Sequence, residues 1–212
     1  VGLIPPEVAA RLYEGLAADS TPGEPDADGL PTWATGPLQH LLALAPVAIG
    51  NLNGVRASAK EPFTIATLRQ LLADRSLTDE QRTQLTALAE LVDPSAGAPS
   101  TQRPHLLGVF LDSDGKPRAS LAYGDVDDAD QITTLTHGIS TDMGALRDWT
   151  NSASSLGHDL DSELGQNGSP AKTAIVVYLE WDSGGPTNVG QMGLPDAGAE
   201  RLAQLIRGFS TV

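Results

Sequence analysis

The chain has 212 residues, enough to bury a sizeable core as one large domain or two small ones, and its composition is that of a globular protein. It carries 27 acidic and 13 basic side chains, and the resulting net charge of −14 repels nucleic acid backbones and anionic membrane surfaces, so we discount both as partners. The absence of cysteine excludes disulfides, thiolate metal sites and a cysteine nucleophile, and leaves a cytoplasmic and an envelope-associated or secreted location equally open.

The N-terminal half is predicted to be helical. Apolar residues recur at helical spacing in four stretches, 8–16, 38–45, 65–72 and 85–92. Thr78 and the acidic residues after it are typical of a helix start. No apolar run approaches 18 residues, so no membrane span is expected. We predict a helical N-terminal region over 1–95, followed by a linker over 96–104 that is rich in Pro, Ser and Ala.

Residues 105–212 predict an α/β fold with alternating strands and helices. Two short apolar runs, 106–111 and 119–123, flank a turn sequence and indicate a β-hairpin. A third strand is predicted over 131–136, among β-branched threonines, and the continuous apolar run 173–179 is typical of a strand buried in a parallel sheet. With helices around 142–164 and 195–207, the predicted order is β-β-β-α-β-α.

The most informative segment runs from the third strand into the next helix. The strand stops at Gly138, and Ser140, Thr141 and Asp142 are residue types that cap a helix N-terminus. Strand, glycine turn and capped helix together present unpaired backbone donors at one point. Such donors can stabilise a developing oxyanion, although an ordinary strand-to-helix turn explains the same residues.

Four segments stand out in their order along the chain: Pro46-Val-Ala-Ile-Gly-Asn-Leu-Asn-Gly-Val55, Tyr123-Gly-Asp-Val-Asp-Asp-Ala-Asp130, Thr136-His-Gly-Ile-Ser-Thr-Asp142 and Tyr178-Leu-Glu-Trp-Asp182. They resemble the motifs of an actinobacterial α/β-hydrolase family that was long classed as a domain of unknown function. The chain departs from the family pattern at Asn53, where the family usually has Asp, and at His137, where it commonly has Pro.

The resemblance implies the first half of an α/β-hydrolase sheet, preceded by a helical segment. In such hydrolases the loop after the third strand supplies part of the oxyanion hole, which here implies the backbone N–H groups of Gly138 and Ile139. The strand after that would deliver the nucleophilic serine in a Gly-x-Ser-x-Gly turn, and this motif is absent from the chain.

The implied function is therefore part of a serine hydrolase that acts on an ester, amide or related acyl bond of a small molecule, without a cofactor. The nucleophile, the acid and the catalytic histidine are expected in a downstream C-terminal hydrolase segment or in a second chain, so that this chain alone is not catalytically complete. We also expect a half-sheet to leave an unpaired edge on its last strand. The alternative is a non-catalytic binding or assembly module that keeps a hydrolase-like half-sheet.

Three further candidates belong to the same sheet edge. His137 either lines the pocket or has a structural role at the strand end, and we favour the structural role, because a triad histidine follows the nucleophile in this fold. Trp181 and Asp182 follow a predicted parallel strand, where ligands bind in open α/β sheets, and are candidate substrate-binding residues. Ser140 and Thr141 are better explained as helix caps than as nucleophiles.

Other polar residues have simpler explanations. The aspartates between 125 and 130 could hold a divalent cation, but no histidine lies nearby at metal-ligand spacing, so a solvated acidic loop is favoured. His40, His105 and His158 share no ligand pattern, and we interpret them as incidental. We expect no metal site.

Overall fold

The structure is a computed structural model that describes residues 4–27, 29–93, 103–138, 141–183 and 193–210. Its α-helices are α1 (Pro6–Ala18), α2 (Pro37–Leu44), α3 (Val47–Gly50), α4 (Ala57–Ala73), α5 (Asp79–Val92), α6 (Leu146–Gln166) and α7 (Gly193–Phe209). Its strands are β1 (Thr21–Pro22), β2 (Trp33–Thr35), β3 (His105–Leu111), β4 (Pro117–Tyr123), β5 (Gln131–Thr136) and β6 (Thr173–Leu179). Among the helices within these ranges, none has the length and apolarity needed to cross a bilayer.

Local sequence signals explain where several of these elements begin. Thr78 and Gln81 form a capping box at the start of α5: the Thr78 hydroxyl accepts from the Gln81 N–H, and the Gln81 side chain accepts from the Thr78 N–H. A 3-10 turn over Met143–Ala145 leads into α6, and the Asp142 carboxylate caps it by accepting from the Gly144 N–H at 2.7 Å. The helix predicted to start near 142 therefore begins in this capped turn.

A four-stranded sheet with the order β3-β4-β6-β5 forms the centre of the C-terminal half. β3 and β4 are an antiparallel hairpin, β4 and β6 are antiparallel, and β5 and β6 are parallel. The predicted α/β class and the β-β-β-α-β-α order are confirmed. The expectation of an unpaired edge on the last strand is wrong, because α6 returns the chain between β4 and β5, so that in the described sheet the edge strands are β3 and β5.

Both faces of the sheet are covered, because alternate residues of a strand point to opposite faces. Ile175, Val177 and Leu179 of β6 join a core cluster with residues of α4, α5 and α6. Ala174, Val176 and Tyr178 join a second cluster with Leu205 of α7 and Ala57, the first residue of α4. The apolar, unalternating sequence of β6 is thus the consequence of burial on both faces.

The N-terminal helices share the core of the sheet. Ile65 and Leu68 of α4 and Leu85 and Leu88 of α5 are fully buried in the same cluster as the strands. A third cluster, around Phe63, Leu38 and Ile49, holds α1, α2 and α3 together. The division into 1–95 and 105–212 stays a prediction, and most of the proposed linker over 96–104 falls in the range 94–102, which lies outside the described residues.

Two polar side chains form hydrogen bonds between the N-terminal helical region and the sheet or its loops. Asn51, in the segment after α3, donates to the Val109 carbonyl oxygen and accepts from the Val109 N–H, both at 2.9 Å, so it occupies hydrogen-bonding groups of the edge strand β3. Asp127, in the loop between β4 and β5, accepts from the N–H groups of Ala57 and Ser58 at 2.7 and 2.9 Å. This carboxylate caps α4, so the acidic loop is more than the solvated surface predicted from its sequence.

Candidate functional site

The candidate site lies at the edge of the sheet where its three parallel strands end. β3 and β6 are both antiparallel to β4, so β3, β5 and β6 run in one direction. Asp112, His137 and the Glu180–Asp182 segment follow these strands at the same edge. Ligands bind at this edge in open α/β sheets, because the loops there converge.

Gly138 lies at this edge outside regular secondary structure. The ladder between β5 and β6 ends at Thr136, and Gly138 is exposed. Within the described residues no hydrogen-bond acceptor contacts its N–H. Apart from its chain neighbours, no described residue has a heavy atom within 4 Å of the position that a Cβ would take. Ile139 and Ser140, the next two residues, lie outside the described part of the chain.

His137 is buried against the indole of Trp181. The two rings stack with their centroids 5.0 Å apart and an interplanar angle of 29°, and His137 is only 3% exposed. Its Nδ1 lies 3.1 Å from the Gly138 carbonyl oxygen, so the proton of the neutral ring is assigned to Nδ1, and this oxygen accepts from it. Burial lowers the pKa of His137 and keeps the ring neutral at neutral pH.

Helix α7 packs closely against Trp181 and the end of β6. Gly198 of α7 lies so close to Trp181 that an added Cβ would come within 2.6 Å of the Trp181 Cβ atom. The buried Tyr178 hydroxyl donates to the Gly198 carbonyl oxygen at 3.2 Å, and burial raises the pKa of this phenol. Arg201 donates to the Glu180 carbonyl oxygen at 3.1 Å. These contacts hold α7 against the residues that end β6.

A cleft of about 160 Å³ opens between the end of the sheet and α7. It is lined by Thr136, Tyr178, Trp181, Gly198, Ala199 and Leu202. Thr136 is the last residue of β5, only two residues before Gly138, and it pairs with Tyr178 across the parallel ladder. The cleft is therefore adjacent to the strand that leads into the Gly138 loop, and its lining is mainly apolar.

Charged residues lie together beside the cleft rather than in its lining. The Arg118 side chain is 2% exposed, its Nη2 lies 2.8 Å from Asp112 Oδ2, and its Nη1 donates to the Trp181 carbonyl oxygen at 2.8 Å. Asp182 Oδ2 lies 3.6 Å from Arg118 Nη2 and 3.4 Å from Lys116 Nζ. Asp182 thus faces this basic pair, whereas Trp181 faces His137 and the cleft.

The structure brings together three of the predicted site residues, His137, Gly138 and Trp181, and shows two residues that the sequence interpretation missed. Arg118 is buried at the start of an apolar strand, a position that requires carboxylate partners, and the nearby aspartates could have indicated it. Gly198 had no such signal, because its role depends on the distant Trp181. In the described ranges no group of three or more His, Cys, Asp or Glu residues could hold a metal ion.

Residues 112–212 match a family model described as Alpha/beta hydrolase. The match begins in the turn between β3 and β4 and includes β4, β5, α6, β6 and α7, so it covers the Gly138 loop and the cleft. It supports the α/β-hydrolase superfamily for this half of the chain. Comparison with curated proteins and with solved structures gave no match.

Proposed function

We propose that this chain supplies the oxyanion-hole loop and part of the substrate pocket of a serine hydrolase that cleaves an ester, amide or related acyl bond. The backbone N–H groups of Gly138 and Ile139 are the proposed oxyanion donors. The observation that carries the proposal is Gly138, an exposed residue whose N–H contacts no hydrogen-bond acceptor among the described residues. It follows β5 at the carboxyl edge of the sheet, beside an apolar cleft and within the segment that matches the hydrolase family.

The proposed chemistry uses this amide without any rearrangement of side chains. A serine hydroxyl attacks the carbonyl carbon and gives its proton to a histidine, and the carbonyl oxygen becomes negatively charged. Backbone N–H groups that point at this oxygen stabilise the charge, because their dipoles are already oriented. The tetrahedral intermediate then collapses, and the protonated histidine returns its proton to the leaving group.

The serine, the histidine and the acid are proposed to come from a downstream segment or a second chain. In the described part of the chain β5 is an edge strand, which supports this arrangement, because strands in a sheet lie about 4.8 Å apart and an added parallel strand would end beside Gly138. Ile132 and Leu135 of β5 are only partly buried, so this edge still has apolar surface to cover. Trp181 is the proposed pocket wall, and the stacked His137 ring is proposed to hold the loop.

One observation favours the alternative of a binding or assembly module. Ile4 lies just before α1, and Val8 and Leu12 lie within it. The three residues follow one another at helical spacing, and each is 43 to 46% exposed. An apolar row of this kind can pack against another protein surface. The module would keep the sheet but would not need a reactive serine.

A serine-directed fluorophosphonate probe distinguishes the two functions. The natural protein is purified intact and labelled, and the modified peptide is identified by mass spectrometry, with heat-denatured protein as the control for nonspecific reaction. We expect one label on a serine outside residues 1–212, in a Gly-x-Ser-x-Gly context. An intact, folded protein that stays unlabelled, or that is labelled at a serine of this chain, contradicts the proposal.

A further inference from the structure

The cleft beside Trp181 differs from the rest of this sheet edge because, among the described residues, no carboxylate, amine or guanidinium lines it. Asp112, Lys116, Arg118 and Asp182 pair with one another next to the cleft instead. Among the side chains that line the cleft, the Tyr178 hydroxyl already donates to the Gly198 carbonyl oxygen, and the other polar groups are the Thr136 hydroxyl and the Trp181 indole N–H. A ligand in this cleft therefore meets mainly carbon.

The size of the cleft limits what it can hold. An apolar protein cavity of about 150 Å³ is large enough for benzene. The cleft, with its volume of about 160 Å³, has room for one group of similar size. A long acyl chain would have to leave the cleft after about six carbons, since its further methylenes would not be buried there.

The walls that set this size are fixed in place. Trp181 contacts both the His137 ring and Gly198 of α7. α7 in turn is held by the Tyr178 hydroxyl and by Arg201, which donates to Glu180 and lies 5.3 Å above the Phe110 ring. Ala199 and Leu202 belong to this anchored helix and line the cleft.

We infer that this cleft binds the short apolar part of the substrate, an aliphatic or aromatic group of about six carbons, and that Ala199 and Leu202 set the length limit. The inference names the substrate class of the proposed hydrolase, so the role of the cleft in catalysis rests on that proposed function. Binding to the cleft, however, does not require hydrolysis and can be measured by itself.

Neutral alcohols are suitable probes because the chain is strongly acidic and would repel carboxylates. Butanol, hexanol and octanol are titrated into the folded chain, and the indole N–H resonance of Trp181, assigned with Trp181→Phe, reports binding. Trp33 and Trp149 provide internal reference resonances away from the cleft lining. We expect affinity to rise by about fourfold per added methylene up to hexanol and to gain little at octanol.

A variant that fills the cleft gives the second arm of the test. Ala199→Leu adds apolar atoms to an exposed helical position that lines the cleft, so the fold is expected to tolerate it while hexanol affinity falls by about tenfold or more. Ala43→Leu makes the same change at an exposed position of α2 and is the matched control. Equal hexanol affinity in both variants, or an unbroken rise through octanol, overturns the inference.

The outcomes separate this inference from the proposed function. Fluorophosphonate labelling of the natural protein without selective hexanol binding would support the proposed hydrolase and overturn the inference about the cleft. Selective hexanol binding that Ala199→Leu abolishes, in a protein that is never labelled, would support the inference about the cleft and overturn the proposed hydrolase.

Discussion

At the scale of single residues, His105 is an unexpected ion-pair partner. Its Nδ1 lies 3.1 Å from the buried carboxylate of Glu61, whose other oxygen accepts from Arg103 at 2.9 Å. The interpretation of His105 as an incidental histidine is therefore wrong. Arg103 also donates to the carbonyl oxygen of Val92, the last residue of α5, so this group connects α4, α5 and the start of β3.

This ion pair predicts a pH-dependent contribution to stability. The hydrogen bond from His105 to Glu61 raises the pKa of His105 in the folded state. Burial opposes ionisation of Glu61, yet His105 and Arg103 outweigh it and lower the pKa of that carboxyl. The histidine contribution is complete below its unfolded-state pKa and is lost as pH rises through the higher folded-state pKa, whereas the glutamate contribution is lost in acid as pH falls through its lowered pKa.

Urea unfolding of His105→Gln and of the parent tests the direction of this pH dependence. At roughly pH 5.5 the parent is expected to be the more stable protein, and at roughly pH 8.5 the difference should shrink, because the imidazole is then neutral. His158→Gln, at an exposed position of α6, is the control for the replacement of a histidine by glutamine. A His105→Gln difference that grows in alkali would refute the assignment.

At the scale of elements, α4 depends on a cap that comes from a distant loop. Its own N-cap residue, Arg56, makes no side-chain cap hydrogen bond. Asp127 supplies the missing acceptor from 69 to 70 residues away, and its Oδ2 also accepts from the Ser58 hydroxyl at 2.7 Å. The carboxylate lies at the positive end of the helix dipole, which adds to the stabilisation.

Asp127→Ala should therefore destabilise the fold by about 1 kcal/mol, since loss of an N-cap side chain typically costs about 0.5 to 2 kcal/mol. The matched control is Asp128→Ala, which removes an exposed carboxylate of the same loop that pairs with Lys172 on the surface. Chemical denaturation of both variants measures the effect. Equal stability of the Asp127 and Asp128 variants would show that the loop does not cap α4.

At the scale of the whole molecule, the order of the elements could be predicted from the sequence, because it depends on local periodicity. The run 173–179 is continuously apolar because β6 is covered on both faces, and the Thr78 capping box lies within four residues. The position of β6 between β4 and β5 could not be read in this way. Strand order depends on contacts between distant segments, and these have no local sequence pattern.

The location of the candidate site could be predicted from the sequence, but its side-chain packing could not. His137, Gly138 and Trp181 each follow a strand, so their meeting at one edge follows from a parallel β5 and β6. The ring stack of His137 on Trp181 and the close approach of Gly198 to Trp181 depend on side-chain packing across about 40 and about 20 residues of sequence, for which the sequence offers no period or motif.

The central claim can be tested at the Gly138 N–H, one of the two proposed oxyanion donors, because a proline at this position has no N–H. Gly138→Pro therefore deletes this donor. Gly138→Ala keeps it and adds a methyl group at a position with no heavy atom within 4 Å among the described residues other than its chain neighbours. Gly138 also lies outside the left-handed backbone region, so alanine can adopt its conformation.

The deciding measurement is the kcat of both variants in the intact natural protein, on the ester of a six-carbon acid, with thermal unfolding measured in parallel. We expect Gly138→Pro to lower kcat by about 100-fold or more with KM little changed, and Gly138→Ala to stay close to the parent. A folded Gly138→Pro protein that retains the parent kcat would contradict the oxyanion role of this amide.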